Sequence, residues 1–401
     1  MIVGIVVEYN PFHNGHLYQI EKIKKELNPE YIVVVMSSNF SQRGMPCIVD
    51  KFRRTKMALH GGVDLVLELP FPLATSSAER FAESAVSSFI KSNIIDTICF
   101  GSEQNELKLM YDIANLLLEE PLTYSNMLKS YLKQNVSYPK ARELSIESYL
   151  GNNIGEFLKQ PNNILSIEYI KALIKYKSTI EAHSLKRKNS HYHDTEIYSS
   201  LASATAIRTS LLNQDYSTLE KAVPKIVFDE IVKEQVYPDI NNLSSVLHYR
   251  LITSNVKKDY SIWDIPMNLI HSIYKETSTT LTYTDFANAI TSKTYSKATV
   301  YRSLIRLLMN IQQSDMESLE KINWIPYLRV LGCRKQSLEL ISILHKKASV
   351  PIIISSNKIS ELDSLGQMLF KYEINASNLY YLCLNQIYNY NMDYKQKFIV
   401  C

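Results

Sequence analysis

Glycine is scarce in this chain, with ten residues in 401, and eight of the ten stand at or before Gly155. Turns that depend on backbone freedom are therefore expected mostly in the first part of the molecule. Patterned cysteine is lacking too. Cys47, Cys99, Cys333, Cys383 and Cys401 are odd in number, scattered, and form no Cys-x-x-Cys pair. Neither a disulfide framework nor a structural zinc site follows from them. No apolar run approaches the ~20 residues that a membrane helix needs, and no basic segment precedes a signal-peptide core. The chain is expected in the cytoplasm, away from membranes. Nor is there an excess of one charge: 44 Lys and Arg against 40 Asp and Glu leave a net +4, which permits an acidic partner without requiring one. What remains is 46% hydrophobic and 21% charged, a globular composition, and too long for one ordinary core. Two domains are expected.

The first part alternates two kinds of segment. Continuous, β-branched apolar runs occupy 2–7, 31–36, 63–69, 95–100 and 179–183, with helix-like stretches at 17–27, 52–60, 77–91, 107–119 and 164–176 between them. Strands that are apolar at every position, separated by helices, indicate a parallel sheet covered on both faces. The reading is a doubly wound α/β domain. Ligands in such sheets sit beyond the carboxyl ends of the strands, where strand order reverses. His13, Ser37-Ser38-Asn39, Glu68 and Gly101-Ser102-Glu103 would line that edge. After about Asp215 amphipathic stretches dominate, at 243–252, 299–311, 336–344 and 362–370, so the second part is expected to be helical. No fixed-period repeat or low-complexity linker separates the two.

His13-Asn14-Gly15-His16 stands between the first apolar run and the first helical stretch. Strand, tight turn and helix form the layout in which helix N-terminal N–H groups meet an anion, commonly a nucleotide phosphate. Two imidazoles three residues apart can both turn to it, and Gly15 allows close approach to the backbone. The tetrapeptide resembles the His-x-Gly-His signature of the nucleotidyltransferase superfamily, which attacks the α-phosphate of ATP and releases pyrophosphate.

Other clusters carry both a plain and a functional reading. Phe100-Gly101-Ser102-Glu103 is either a strand-to-helix turn or a place where backbone holds base or ribose. Pro161-Asn162-Asn163-Ile164-Leu165-Ser166 either caps a helix or offers amides to a nucleotide. Lys186-Arg187-Lys188 is a solvated run or a phosphate contact. Ser203-Ala204-Thr205-Ala206-Ile207-Arg208 is a capped helix start or a grip on phosphate oxygens.

Taken in order, Glu8-Tyr9-Asn10-Pro11-Phe12-His13-Asn14-Gly15-His16, Asn39-Phe40-Ser41-Gln42-Arg43-Gly44, Asp64-Leu65-Val66-Leu67-Glu68-Leu69-Pro70 and the three later clusters resemble the tRNA(Met) cytidine acetate ligase family. Tyr327-Leu328-Arg329-Val330-Leu331-Gly332 is similar to its C-terminal part. Departures stand at Gln19, where a third histidine is common, at Met45, where Glu usually follows Arg-Gly, and at Ser38 and Ser166, where glycine is usual. The resemblance implies a Rossmann-like ATP-binding nucleotidyltransferase domain over 1–215 and a mostly α-helical, tRNA-binding domain over 216–401. It implies ATP-dependent activation of acetate to acetyl-adenylate, then acetylation of the wobble cytidine of elongator tRNA(Met).

The chemistry asks for fixed donors and for imidazolium or guanidinium groups around an α-phosphate under attack. His13, His16 and Arg208 are the catalytic candidates. The ATP-binding set is Val7, Glu8, Tyr9, Asn10, Pro11, Phe12, His13, Asn14, Gly15, His16, Gly101, Ser102, Asn162, Lys186, Arg187, Ser203 and Thr205. Mg²⁺ is expected with ATP, and no residue is assigned to a protein-held metal. Lys293 with Lys297 and Arg302 with Arg306, each pair four residues apart, are expected to share a helix face and contact tRNA phosphates. Two other readings stay open: an adenylyltransferase acting on a phosphorylated small-molecule metabolite, and a non-catalytic RNA-binding protein with a vestigial nucleotide fold. The oligomeric state is left open.

Overall fold

The computed structural model describes residues 1–134, 136–151, 154–187, 202–233, 236–276, 282–386 and 389–401. Its spine is a sheet in which β1 (Ile2–Val7), β2 (Tyr31–Ser37), β3 (Leu65–Leu69), β4 (Thr97–Ser102) and β5 (Glu181–Lys186) run parallel in the order β5-β4-β1-β2-β3. The chain steps outward from β1 to β3, then crosses to the other side of β1 for β4 and β5. Strand order therefore reverses between β1 and β4, and their carboxyl ends frame the crevice where such sheets bind ligands.

The apolar runs are continuous because both faces are covered. In β2, Tyr31, Val33 and Val35 point into one core while Ile32, Val34 and Met36 point into the other. α1 (Asn14–Leu27) and α2 (Lys51–His60) lie on the second face, through residues such as Ile20, Ile23, Met57 and Ala58. α3 (Ala78–Ser92), α4 (Leu107–Glu119) and α5 (Pro161–Lys175) cover the first, through Phe81, Phe89, Ile113 and Ile170 among others. α6 (Ala204–Leu212) returns to the α1 side, contributing Ile207 and Leu211.

The second part is largely helical, with α7 (Lys297–Met309) and the twenty-residue α8 (Ser364–Cys383) as its longest members. The expectation of helices alone is corrected by three strands. β6 (Leu328–Cys333) joins the sheet antiparallel to β3, and its free edge is shared by β7 (Ile352–Ile353) and β8 (Ile399–Val400). Every residue of β6 is buried, so it closes the sheet edge beside β3, covering backbone groups that would otherwise lie open. The five cysteines are free thiols. Among the described residues no helix is long and apolar enough to cross a membrane.

Candidate active site

β1 delivers the chain to the crevice, and the loop after it is held from several sides. Asn10 accepts at Oδ1 from the Ile48 N–H (2.7 Å) and at its carbonyl from Arg208 Nη1 (2.8 Å). Glu8 Oε1 accepts from the Gln42 N–H at 2.7 Å. Arg54, fully buried on α2, donates to the carbonyls of Glu8 (2.6 Å), Ser37 (3.0 Å) and Val49 (3.0 Å), and to that of Ser38. One guanidinium thus satisfies the chain ends leaving β1 and β2, a task the sequence reading missed. Its only trace is a second arginine beside Arg53 in an otherwise apolar face. Val7, Tyr9, Pro11 and Phe12 are buried beneath the loop rather than presented to solvent.

His13 is the N-cap of α1, and it forms the cap reciprocally with His16. His13 Nδ1 accepts from the Gly15 N–H (3.0 Å), while His16 Nδ1 accepts from the His13 N–H (3.3 Å), the arrangement of a capping box built from two imidazoles. The rings stack at 3.7 Å with Tyr9 4.7 Å from His16. Gly15 is required here by the protein itself: a Cβ would stand 2.8 Å from the His13 ring. Since each Nδ1 accepts, each neutral ring carries its proton on Nε2 and keeps that N–H as a donor.

Both rings are neutral. Burial, then Arg187 and Arg208, lower His13 to about 3. Burial, His13 and Arg187 hold His16 well below its ordinary value. The expected imidazolium is corrected: positive charge comes from Arg187 and Arg208. Arg208 also donates from Nη2 to Thr205 Oγ1 at 3.1 Å, which brings that predicted residue into the same group.

At the β4 end Arg187 lies against Gly101, where a Cβ would meet Arg187 Cγ at 3.2 Å. Ser102 donates to Asn163 Oδ1 (2.6 Å) and accepts from the Asn105 N–H (2.9 Å), so its hydroxyl serves the turn. Asn162 Nδ2 donates to Glu103 Oε1 at 2.5 Å, and Ser166 donates to the Asn162 carbonyl at 2.7 Å. Lys186 is exposed at the end of β5, and Lys188 lies outside the described residues. Ser203 caps α6 by accepting from the Ala206 N–H at 3.0 Å, and Asn14 donates to the Lys221 carbonyl at 2.9 Å.

The cations predicted to face tRNA separate. Lys293 and Lys297 are exposed, but Lys293 precedes the Ser296 cap of α7 and shares no helix face with Lys297. Arg302 is half-buried. Arg306 is corrected outright: it is 1% exposed, bonds to Asp264 Oδ2 (2.8 Å) and the Thr75 carbonyl (2.8 Å), and stacks on Trp263 at 4.5 Å. It ties α7 to the first domain.

A second polar cluster joins the two parts of the chain. Lys51 Nζ stands 2.5 Å from Glu68 and 2.6 Å from both Glu373 and Asp393. Arg329 pairs with Glu68 (3.0 Å) and Asp393. Ser38 donates to Glu373, whose other oxygen accepts from the Phe71 N–H at 2.6 Å. These three carboxylates are the set with metal-ligand geometry among the described residues. An ammonium holds the centre where a metal would sit.

A parallel sheet with two neutral histidines capping the helix after its first strand, flanked by arginines, defines a nucleotidyltransferase-type nucleotide site. The HIGH Nucleotidyl Transferase family model matches residues 1–396. The tRNA(Met) cytidine acetate ligase of Thermoanaerobacter sp. (strain X514) is 39% identical over 386 residues, 95% of each chain. That of Acetivibrio thermocellus is 37% identical over 400 residues, again 95% of each. Among solved structures, Thermotoga maritima TmcAL in its apo form superposes with a TM-score of 0.94 at 28% identity over the whole of both chains. The same protein bound with alpha-thio ATP gives a TM-score of 0.91. The chain belongs to the HIGH nucleotidyltransferases and, within them, to the tRNA(Met) cytidine acetate ligase family.

Proposed function

We propose that this protein activates acetate with ATP and transfers the acetyl group to the wobble cytidine of elongator tRNA(Met), in the cytoplasm. The observation that carries the reading is the paired histidine cap, which leaves two neutral Nε2–H donors beside Arg187 and Arg208. An acetate oxygen attacks the α-phosphorus of ATP, the bond to pyrophosphate breaks, and acetyl-adenylate forms. The imidazole donors then stabilise negative charge on the α-phosphoryl oxygens, while the guanidiniums of Arg187 and Arg208 neutralise the outer phosphates. Neutral donors are suited to this work because they leave the anionic nucleophile, acetate, less strongly held than two fixed imidazoliums would. In the second step the cytidine N4 amine attacks the acetyl carbonyl and AMP leaves. The mixed anhydride is already activated, so no protein nucleophile is required.

ATP is taken as its Mg²⁺ complex. The charged groups beside the histidines are guanidiniums, and the nearby carboxylates Glu8 and Glu103 are engaged by Gln42, Asn162 and Asn163. Such a donor set builds no carboxylate cage, which fits an ion carried by the nucleotide's own phosphates. Residues 1–215 are proposed as the ATP-handling part. Residues 216–401 are proposed as the tRNA-facing part, with Lys293, Lys297 and Arg302 among its contacts. Gly101, Ser102, Asn162, Lys186, Ser203 and Thr205 frame the nucleotide in this reading. Acetate-dependent exchange of radiolabelled pyrophosphate into ATP tests the first step, and acetylation of the tRNA transcript tests the second. Exchange that proceeds equally without acetate would overturn the proposal.

A further inference from the structure

On the far side of residues 47–49 from the histidine loop lies a cavity of about 210 Å³, between the start of α2 and the chain after α8. Ile48 connects the two places: its N–H bonds to Asn10 Oδ1 at 2.7 Å, and it forms part of the cavity wall. The cavity therefore stands one residue from the loop that leads into His13.

Its lining is of a particular kind. Tyr380 and Tyr381, set edge to face with ring centroids 5.6 Å apart, make an aromatic wall. Gln386, Asn389 and Gln396 bring three amides. Asn389 Nδ2 donates to Gln386 Oε1 (2.8 Å) and Gln396 Nε2 to the Lys397 carbonyl (3.0 Å). Within the described residues this leaves the Gln386 amide nitrogen and the Asn389 and Gln396 amide oxygens without partners, a donor and two acceptors. Lys56, exposed on α2, stands at the rim.

We propose that this cavity binds one unstacked nucleobase of the tRNA anticodon loop, a reading that rests on the tRNA acetylation proposed above. The volume lies below the ~300–1,000 Å³ of drug-sized ligand pockets, which suits a single base and not a whole nucleotide. Proteins read single-stranded RNA by stacking splayed bases on aromatic rings and bonding their edges with polar side chains, with cations on the adjacent phosphates. All three elements are present here, on the junction between the part that handles ATP and the part proposed to face tRNA. The base held in this cavity would fix the register of the loop, so that the acceptor cytidine is presented at the neighbouring crevice.

The test uses the full-length protein and anticodon stem-loops of elongator tRNA(Met) carrying one abasic site at each loop position in turn. Binding is followed by fluorescence anisotropy over a salt series, for wild type and for Asn389→Ala combined with Gln396→Ala. Wild type is expected to lose about 10-fold in affinity at one loop position. The double variant binds the intact loop as weakly as wild type binds that abasic loop, is indifferent to that abasic site, and keeps the wild-type salt slope and pyrophosphate exchange. A wild-type protein indifferent to every abasic site overturns the proposal, whatever the variant does. So does a variant that retains the wild-type abasic pattern, or one that loses exchange while folded. Wild type that exchanges pyrophosphate with acetate but acetylates no tRNA overturns the parent reading, a result distinct from these.

Discussion

The molecule buries polar groups in two places and treats them in opposite ways. At the histidine cap the charge is removed: both imidazoles are neutral, and their Nδ1 atoms are used up on backbone N–H groups. At the junction of the two halves the charge is kept and matched, with Lys51 and Arg329 set among Glu68, Glu373 and Asp393. An anion arriving at the first place finds donors and adjacent arginines with no internal carboxylate competing for them. The second place has little to offer an arriving ion, because its donors already face its acceptors. The difference separates a site from a joint. A constellation that could hold a metal by ligand type alone is, on inspection of what fills its centre, a device for fixing one half of the chain on the other.

The largest effect is expected at the joint. Lys51→Met leaves three buried carboxylates sharing one guanidinium, and breaking a buried ion pair from one side typically costs about 3–5 kcal/mol. Chemical denaturation measures this directly. A loss below about 1 kcal/mol would mean that the cluster relaxes easily and does not hold the halves together.

His16→Ala should be nearly as severe on rate and mild on folding. Removing one electrostatic donor costs about 10²–10³ in turnover, whereas loss of its half of the cap costs about 1 kcal/mol of stability. Pyrophosphate exchange read beside a thermal melt separates the two. Near-normal exchange would reduce His16 to a capping residue.

Acidity sharpens the contrast, because the two places respond with opposite sign. His13 has a folded value of about 3 against 6.5 unfolded, so the unfolded chain takes up a proton that the folded chain refuses. Stability is therefore lost as pH falls below about 6.5, by about 2 kcal/mol for that ring between pH 7 and 5. Glu373 runs the other way. Burial, and then the Glu68 charge, with Lys51 opposing, raise it to about 7. A raised carboxyl contributes stability that is complete below its unfolded value near 4.5 and is lost as pH rises through about 7. Stability profiles of His13→Gln and Glu373→Gln should accordingly flatten on the acid and the neutral side respectively. Parallel shifts in the two variants would sink the distinction.

Much of the first region was legible. β1 was expected at 2–7 and is found at Ile2–Val7, and α4 matches its expected span likewise, because two-sided burial writes itself as an uninterrupted apolar run and one-sided burial as a helical period. α1 begins three residues earlier than expected since its cap is a histidine, a residue type outside the usual Ser, Thr, Asp and Asn signals. The second region was not legible. β6 pairs with a strand more than 250 residues earlier, so nothing local distinguishes it from a buried helical segment. Lys51 and Asp393 lie 342 residues apart, and Arg306 looks like a surface cation until Trp263 and Asp264 close over it. Spacing along a helix gives a face, but it does not say what the face meets.

The smallest effect concerns the cations that stay outside. Lys297 is the first residue of α7, exposed, with its ammonium 5.7 Å from the Tyr301 ring. Replacing it by Glu puts a carboxylate at a helix N-terminus, where the helix dipole favours negative charge, so folding should be unharmed. If Lys297 contacts a tRNA phosphate, Lys297→Glu weakens binding several-fold at low salt and lowers the salt slope by about one, while pyrophosphate exchange is unchanged. Arg306→Glu provides the contrast: it should lose stability instead, because the buried cation at that position bonds to Asp264 and to the Thr75 carbonyl. Anisotropy titrations of both variants over a salt series, with melts alongside, decide the matter. Lys297→Glu with wild-type affinity at every salt concentration would remove this end of α7 from the RNA surface and return Lys297 to the solvated charges.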